Sequence, residues 1–298
     1  MKLFAIIGAS ASGKSELALS LARALECPIF SLDSLSIYRE IDIASAKPSP
    51  KELSEVRHFG INLLAPYERS NAALFVREFH KALEESQNAG KAALILAGGT
   101  GFFLKAILEG LSPTPTLTQE HRMRIGQLTS NPAEAFAFLK ALDPHFCARL
   151  SAGDSHRIRR GIEIYVGSGI IPTEWFRLHP PKPLEYDIPT YNIILEREIL
   201  LERIKKRTEG MIARGLIDEV RTLESRYTRA PQAMKSIGIL ETLAYLDGTL
   251  KRDELAPLIT THTAQLAKRQ TTFNKTQLRT YDLRAEEIFE AILRAMDA

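Results

Sequence analysis

The stretch "IIGASASGKSEL", residues 6–17, decides how this chain is read. Its core "GASASGKS", Gly8–Ser15, fits the pattern G-x-x-x-x-G-K-[ST]. Gly8 and Gly13 let the backbone curl so that successive N–H groups face an anion. The helix start that follows adds partial positive charge, Lys14 adds a full one, and the Ser15 hydroxyl can ligate Mg²⁺. Small residues at Ala9, Ser10, Ala11 and Ser12 leave room for a ligand to sit close.

On either side the periodicity changes as such a loop requires. "KLFAII" (2–7) is a continuous apolar run that suits a buried parallel strand, and "SELALSLARALE" (15–26) has apolar residues at helical spacing. "PIFSLD" (28–33) predicts a second strand, residues 72–90 a helix stopped by Gly90, and "KAALILAGG" (91–99) a third buried strand. This alternation predicts a doubly wound α/β core. After "LSPTPTLT" (111–118) the character shifts. Residues 119–170 have helical periodicity and carry Arg122, Arg124, Lys140, Arg149, Arg157, Arg159 and Arg160. A proline-rich linker (171–189) leads to a return strand, "TYNIILE" (190–196). Residues 198–277 read as amphipathic helices, and "RTYDL" as a short strand before a final helix. The expected division is a core of 1–111 and 189–298 with a mainly helical insertion over 112–188.

The 298 residues are 45% apolar and 25% charged, ordinary for a globular protein. Two distant cysteines, Cys27 and Cys147, exclude a disulfide framework or zinc cluster and read as inert thiols. No window approaches the roughly 20 apolar residues of a membrane span, and the N-terminal run is too short for a signal peptide, so a cytoplasmic location is expected. The net charge of +3 is modest, but its distribution is not even. No acid falls between Leu255 and Tyr281, where Lys268, Arg269, Lys275 and Arg279 lie. Lys268, Lys275 and Arg279 would share one helical face, either a solvated surface or a footprint for nucleic-acid phosphates.

Two further segments bear on the chemistry. Asp33, in "SLDSLSIYREIDIASAKP" (31–48), falls at the carboxyl end of the second strand, the edge where open α/β sheets bind ligands. There it can take a proton from a nucleophile, or simply cap a turn. Most phosphate loops of this pattern bind ATP or GTP, and their enzymes usually carry an acid after a later strand to organise Mg²⁺. Here that strand ends in Gly98, Gly99, Thr100 and Gly101, which favour close backbone approach over metal chelation. An NTP-hydrolysing motor is disfavoured. A small-molecule kinase and another transfer of a group carried on a phosphate both survive.

"GASASGKS", "SLDSLSIYREIDIASAKP", "LAGGTGFFLKAILEGLSP", "GDSHRIRRGIEIYVGSG", "MIARGLIDEV", "MKSIGILETLAYLDG" and "AQLAKRQTTF" resemble, in order and spacing, the motifs of tRNA dimethylallyltransferases (tRNA isopentenyltransferases). The likeness runs over nearly the whole chain. It implies a P-loop NTPase-like parallel sheet core with a mainly helical insertion domain. It also implies transfer of a dimethylallyl group from dimethylallyl diphosphate to N6 of the adenosine 3′-adjacent to the anticodon of tRNA. In that resemblance Gly8, Ala9, Ser10, Ala11, Ser12, Gly13, Lys14, Ser15 and Arg207 hold the diphosphate, with Mg²⁺ at Ser15. Asp33 takes the proton of the amine and Thr100 bonds the diphosphate or its bridging oxygen. Asp33, Ser34, Leu35, Ser36 and Thr100 line the channel that receives the flipped adenine. Arg122 and His156, Arg157, Ile158, Arg159 and Arg160 match tRNA-contacting stretches, and the anticodon stem-loop is the implied partner of a monomer.

The chain departs from the pattern at Ala9 (proline is usual), Glu40 (glycine), Phe103 (tyrosine), and Ile239 and Leu240 in "IGIL", where Gly-Tyr is typical. None of these removes a catalytic group. No cysteine or histidine follows residue 283, as in the compact bacterial form. The alternatives are a P-loop small-molecule kinase, an isopentenyltransferase acting on free adenine nucleotide, and an RNA-binding NTP switch. The basic insertion and basic C-terminal helix disfavour the first two.

Overall fold

The computed structural model describes residues 1–297. The chain runs β1 (Lys2–Gly8), α1 (Lys14–Ala24), β2 (Ile29–Ser31), α2 (Pro50–Glu55), β3 (His58–Phe59), α3 (Ala72–Asn88), β4 (Ala93–Gly98) and α4 (Gly101–Glu109). Five helices follow: α5 (Gln119–Leu128), α6 (Pro132–Leu142), α7 (Pro144–Cys147), α8 (Ser155–Ser168) and α9 (Pro172–Leu178). It then continues through β5 (Thr190–Ile193), α10 (Arg197–Ala213), α11 (Leu216–Tyr227), a 3₁₀ turn (Gln232–Lys235), α12 (Ile239–Leu246), α13 (Arg252–Gln277), β6 (Tyr281–Leu283) and α14 (Ala285–Asp297). Contacts divide it into two compact units, Met1–Leu108 with the chain from Leu184 on, and Glu109–Pro183.

The first unit is built on a six-stranded, all-parallel sheet in the order β3-β2-β4-β1-β5-β6. Its strands are buried on both faces, so successive residues enter opposite cores. Leu3, Ala5 and Ile7 of β1 pack in one with Phe30, Leu94 and Leu96, while Phe4 and Ile6 pack in the other with Ile29, Ile95 and the apolar faces of α1 and α14. The chain leaves β1 towards β2 on one side, and β5 joins β1 on the other. The carboxyl end of β1 is therefore where neighbouring connections part, and the glycine loop sits there.

The second unit is helical. Its own core gathers Ile125, Ala135, Leu139, Cys147, Ile158 and Ile162. Asn131 caps α6 by accepting the N–H of Ala133 (3.0 Å), and Asp154 caps α8 by accepting that of Arg157 (3.1 Å). Both cysteines are buried, and burial pushes the Cys27 thiol up to about 11, so neither is a ready nucleophile.

Several local expectations are corrected. α2 and β3 form in 50–59, where periodicity is too short to register; Pro50 at the first turn and the reciprocal Ser49–Glu52 capping box start α2. The proline-rich linker contains α9, fixed by Trp175, which is buried and donates to the Pro113 carbonyl (3.1 Å). The helical unit begins at Glu109 rather than 112 and ends at Pro183 rather than 188. Leu184 N–H donates to the Leu108 carbonyl at 2.9 Å, closing the core just outside it. α13 stops at Gln277, so Arg279 does not share its face with Lys268 and Lys275. Glu40 has φ 65°, the left-handed region that accounts for the usual glycine. Here its carboxylate accepts from Arg226 (2.6 Å) and the Tyr227 hydroxyl (2.5 Å).

One glycine couples sheet to site. A Cβ on Gly98, at the end of β4, would stand 2.4 Å from the Leu32 carbonyl oxygen, the same oxygen that accepts the Thr100 N–H at 3.1 Å. Backbone on both sides leaves nothing flexible to yield. We expect Gly98→Ala to lower unfolding free energy by about 2 kcal/mol, measured by urea denaturation.

Candidate active site

The loop after β1 closes on itself, with Ser12 N–H donating to the Ala9 carbonyl (3.1 Å), and turns through Ala11 (φ 67°) and Gly13 (φ 96°) into α1. The small size of Ala9 and Ala11, expected to leave room for a ligand, also has a structural use. They pack against Ile204 of α10 and Ala267 of α13, so their smallness admits two helices. The Ser10 N–H and hydroxyl both meet Gln270 Oε1 of α13 (2.8 and 3.2 Å). The Ser12 hydroxyl is buried without a partner, lying where a Cβ on Gly8 would clash at 2.6 Å. Lys14 and Ser15, at the start of α1, face the cleft.

That cleft has two lobes, of about 580 and 500 Å³, which share Ser10, Asp33, Ser45, Gly99, Arg207 and Gln270. The first is polar and holds Lys14, Ser15 and Ser36. The second is lined by Leu35, Thr100, Ile204, Met211, Ile237 and Phe273, with Phe102 and Ser34 also on its wall. Asp33 stands at the junction. Its Oδ1 accepts the N–H groups of Leu35 (2.8 Å) and Ser36 (3.0 Å), a turn that fixes the carboxylate and leaves Oδ2 without a protein donor among the described residues. Asp33 thus caps a turn and lines the cleft at once. Ser36 is buried, its hydroxyl 3.1 Å from that of Ser31.

Lys14 is 9% exposed and its Nζ donates to the Ala9 carbonyl at 3.0 Å. Its pKa is lowered to about 8, chiefly by burial and secondarily by the nearby Arg207 guanidinium, with Asp33 opposing both. Burial likewise pushes Arg207 below its ordinary value, with Asp33 pulling it back. Among the described residues neither cation forms an ion pair, and Asp33 is the acid that acts on both. Thr100 lines the second lobe. No group of three or more His, Cys, Asp or Glu side chains is placed to hold a metal among the described residues.

Gln270 is a cleft residue that sequence reasoning missed. Its Nε2 lies where a Cβ on Gly99 would clash at 2.4 Å, so the glycine is explained by a helix 170 residues away in the chain. The acid-free stretch 255–281 did point to this helix, but to its cations. In the helical unit, Arg122, His156, Arg157 and Arg159 are exposed. Ile158, in the same expected cluster, is buried in that unit's core at 2% and cannot reach a solvent-side partner. Arg160 is half-buried and donates to Thr114 Oγ1 (2.5 Å) and the Ser112 and Pro113 carbonyls (3.3 and 3.1 Å), a structural use of its charge. Ile239 is fully buried at the start of α12.

A phosphate loop at the switch point of a parallel sheet, with unpaired cations over it, defines the P-loop NTPase-like class. Residues 36–277 match the IPP transferase family, and the chain belongs to it. It is 62% identical over 293 residues to the tRNA dimethylallyltransferase of Wolinella succinogenes, covering 98% of each chain. It is 48% identical to that of Sulfurimonas denitrificans, over 94% of each. Among solved structures it superposes on a tRNA delta(2)-isopentenylpyrophosphate transferase from Staphylococcus epidermidis with a TM-score of 0.71 and 25% identity, covering 100% and 99% of the two chains. It shares its fold with a eukaryotic dimethylallyltransferase acting on tRNA (TM-score 0.83, 24% identity, 99% and 78% covered).

The lowered Lys14 pKa sets a pH dependence. A bound anion favours the ammonium and raises its pKa, so above about 8 binding must take up a proton. We expect affinity for an alkyl diphosphate to hold from pH 6.5 to 8 and then fall about tenfold per pH unit, by calorimetry. Lys14→Met should bind weakly at every pH with that slope gone.

Proposed function

We propose that this chain transfers a dimethylallyl group from dimethylallyl diphosphate to N6 of the adenosine 3′-adjacent to the anticodon of tRNA. It would do so as a monomer in the cytoplasm; no described helix is long and apolar enough to cross a membrane. The observation that carries the reading is the junction itself. Lys14 and Arg207, neither in an ion pair, stand near a carboxylate whose Oδ2 has no protein donor among the described residues, and Arg207 and Asp33 also border the second, partly apolar lobe. The names of the relatives agree with it. The glycine turn Gly98–Gly101 at the end of β4, in place of an acid, weighs against the kinase alternative.

In this reading the diphosphate lies on the amides at the start of α1 with Lys14 and Arg207 against its oxygens. The bond between the allylic carbon and the bridging oxygen breaks, the carbon bonds to the adenine N6, and diphosphate leaves with the electron pair. Lys14 and Arg207 stabilise the charge that grows on it. Asp33 Oδ2 takes the N6 proton, and Thr100 donates its hydroxyl to the bridging oxygen. The Ser15 hydroxyl, exposed on the cleft wall and without a protein partner among the described residues, would hold a divalent ion. When bound, Mg²⁺ neutralises charge on the leaving diphosphate.

The adenine must leave its stack to reach this junction, at a cost of a few kcal/mol that contacts to the RNA backbone offset. Arg122, His156, Arg157 and Arg159 supply such contacts, and Ser34 and Leu35 meet the base. Ile158 is buried in its unit's core, and Arg160, like Arg159 with Glu163 and Thr129, would give up bonds within its own unit to meet the RNA.

The protein with Mg²⁺ and dimethylallyl diphosphate, without ATP, should prenylate an anticodon stem-loop, detected by mass spectrometry of nuclease digests. ATP-dependent phosphorylation of a metabolite, with no prenylated RNA, would overturn the reading. Asp33→Asn should keep stem-loop affinity while kcat falls roughly 100-fold or more; unchanged kcat removes Asp33 as the base.

A further inference from the structure

The segment from Asp33 to Lys47 walls the cleft opposite the phosphate loop. Ala44 and Ser45 face the second lobe, and Ser45, Ala46 and Lys47 face the first. It contains two non-glycine residues in the left-handed region, Glu40 (φ 65°) and Ala46 (φ 48°). Such conformations persist only where the surroundings over-determine them. Between these two residues the N–H groups of Asp42, Ile43 and Ala44 converge on one carboxylate, that of Glu219 in the first turn of α11. Glu219 Oε2 accepts from Asp42 (3.0 Å) and Ile43 (2.7 Å), and Oε1 accepts from Ala44 (2.9 Å).

A concave row of amides is an anion site, and here the protein fills it with its own side chain. Bonds of N–H to a carboxylate are among the stronger hydrogen bonds. The other ties differ in kind. Lys47, whose side chain is 3% exposed, donates to the Tyr38 carbonyl, Asp42 Oδ1 and Asn62 Oδ1 (2.8, 2.6 and 2.7 Å) and holds the segment to itself and its neighbour. Glu40 with Arg226 and Tyr227 is a second link to α11, but it is exposed and correspondingly weak.

We propose that Glu219 is a positioning residue for the transfer. Through the three amides it sets where Ala44 and Ser45 stand relative to Asp33 and Arg207 at the junction of the lobes. The proposal rests on the reaction proposed above. Glu219 lines neither lobe and touches neither Lys14 nor Arg207, so diphosphate binding is independent of it.

The test compares wild type, Glu219→Ala and Glu219→Gln in stem-loop prenylation, amide hydrogen exchange and thermal unfolding. In Glu219→Ala we expect kcat to fall roughly 10- to 100-fold, KM for dimethylallyl diphosphate to stay within about twofold, and the amides of 42–44 to exchange faster. Glu219→Gln keeps one carbonyl oxygen for the row and should recover part of the loss; it also carries the test by the same criteria if the alanine variant does not fold. Unchanged exchange at 42–44 overturns the clamp. Faster exchange with kcat within about twofold of wild type overturns the positioning role. So does an equal loss of kcat and of diphosphate binding, which would make Glu219 a general support. If wild type itself makes no prenylated RNA, the proposed reaction fails instead, while exchange at 42–44 still reports on the clamp.

Discussion

A buried ammonium outside any ion pair, offset only by the more distant Asp33, is the constraint around which this protein is arranged. Lys14 is held in the cleft by one carbonyl, with a second cation, Arg207, beside it. Taking such charges from water is costly, and here it is not repaid within the fold. In the proposed reaction the diphosphate would make good that deficit. Helix α1 aims its amide end at the same place, and α10 and α13 close over the loop through Ile204, Ala267 and Gln270. The electrostatics are in place before any ligand arrives, which is what stabilisation of a leaving group demands.

Backbone proximity is the second organising element. At Gly98 a carbonyl, at Gly99 a glutamine amide and at Gly101 the Asn274 and Phe273 side chains occupy the space where a Cβ would be. Three elements from distant parts of the chain thereby meet at Thr100 within van der Waals distance. The Leu32 carbonyl that excludes a side chain at Gly98 also holds the Thr100 N–H, and Asp33 follows directly. The Asp33 carboxylate and Thr100 are thus positioned through the same stretch of backbone.

The helical unit shows why residue type alone misassigns charges. Of the run His156–Arg160, the helix turns Ile158 into the core and Arg160 onto the chain at 112–114, leaving His156, Arg157 and Arg159 outward. A cluster that is compact in sequence is divided by the 3.6-residue period of α8 into a packing side and a solvent side. In the phosphate loop, Ala9 and Ala11 pack against the helices above.

The sequence by itself determined most of the strands, the long helices, the loop and the candidacy of Asp33 and Thr100; Arg207 entered only through the family resemblance. These signals are local: apolar runs, helical spacing, and glycines beside a lysine and a serine. The short elements α2, β3 and α9 carried too few residues for a period to emerge, and their capping and burial are visible only in three dimensions. Tertiary structure alone decided that Ala9 and Ala11 face helices, that Gln270 lies over Gly99, and that Glu219 collects three amides of a segment more than 170 residues earlier. The physical reason is common to all three. Each is a contact between surfaces that the parallel sheet brings together, and neither partner's own sequence neighbourhood encodes the other.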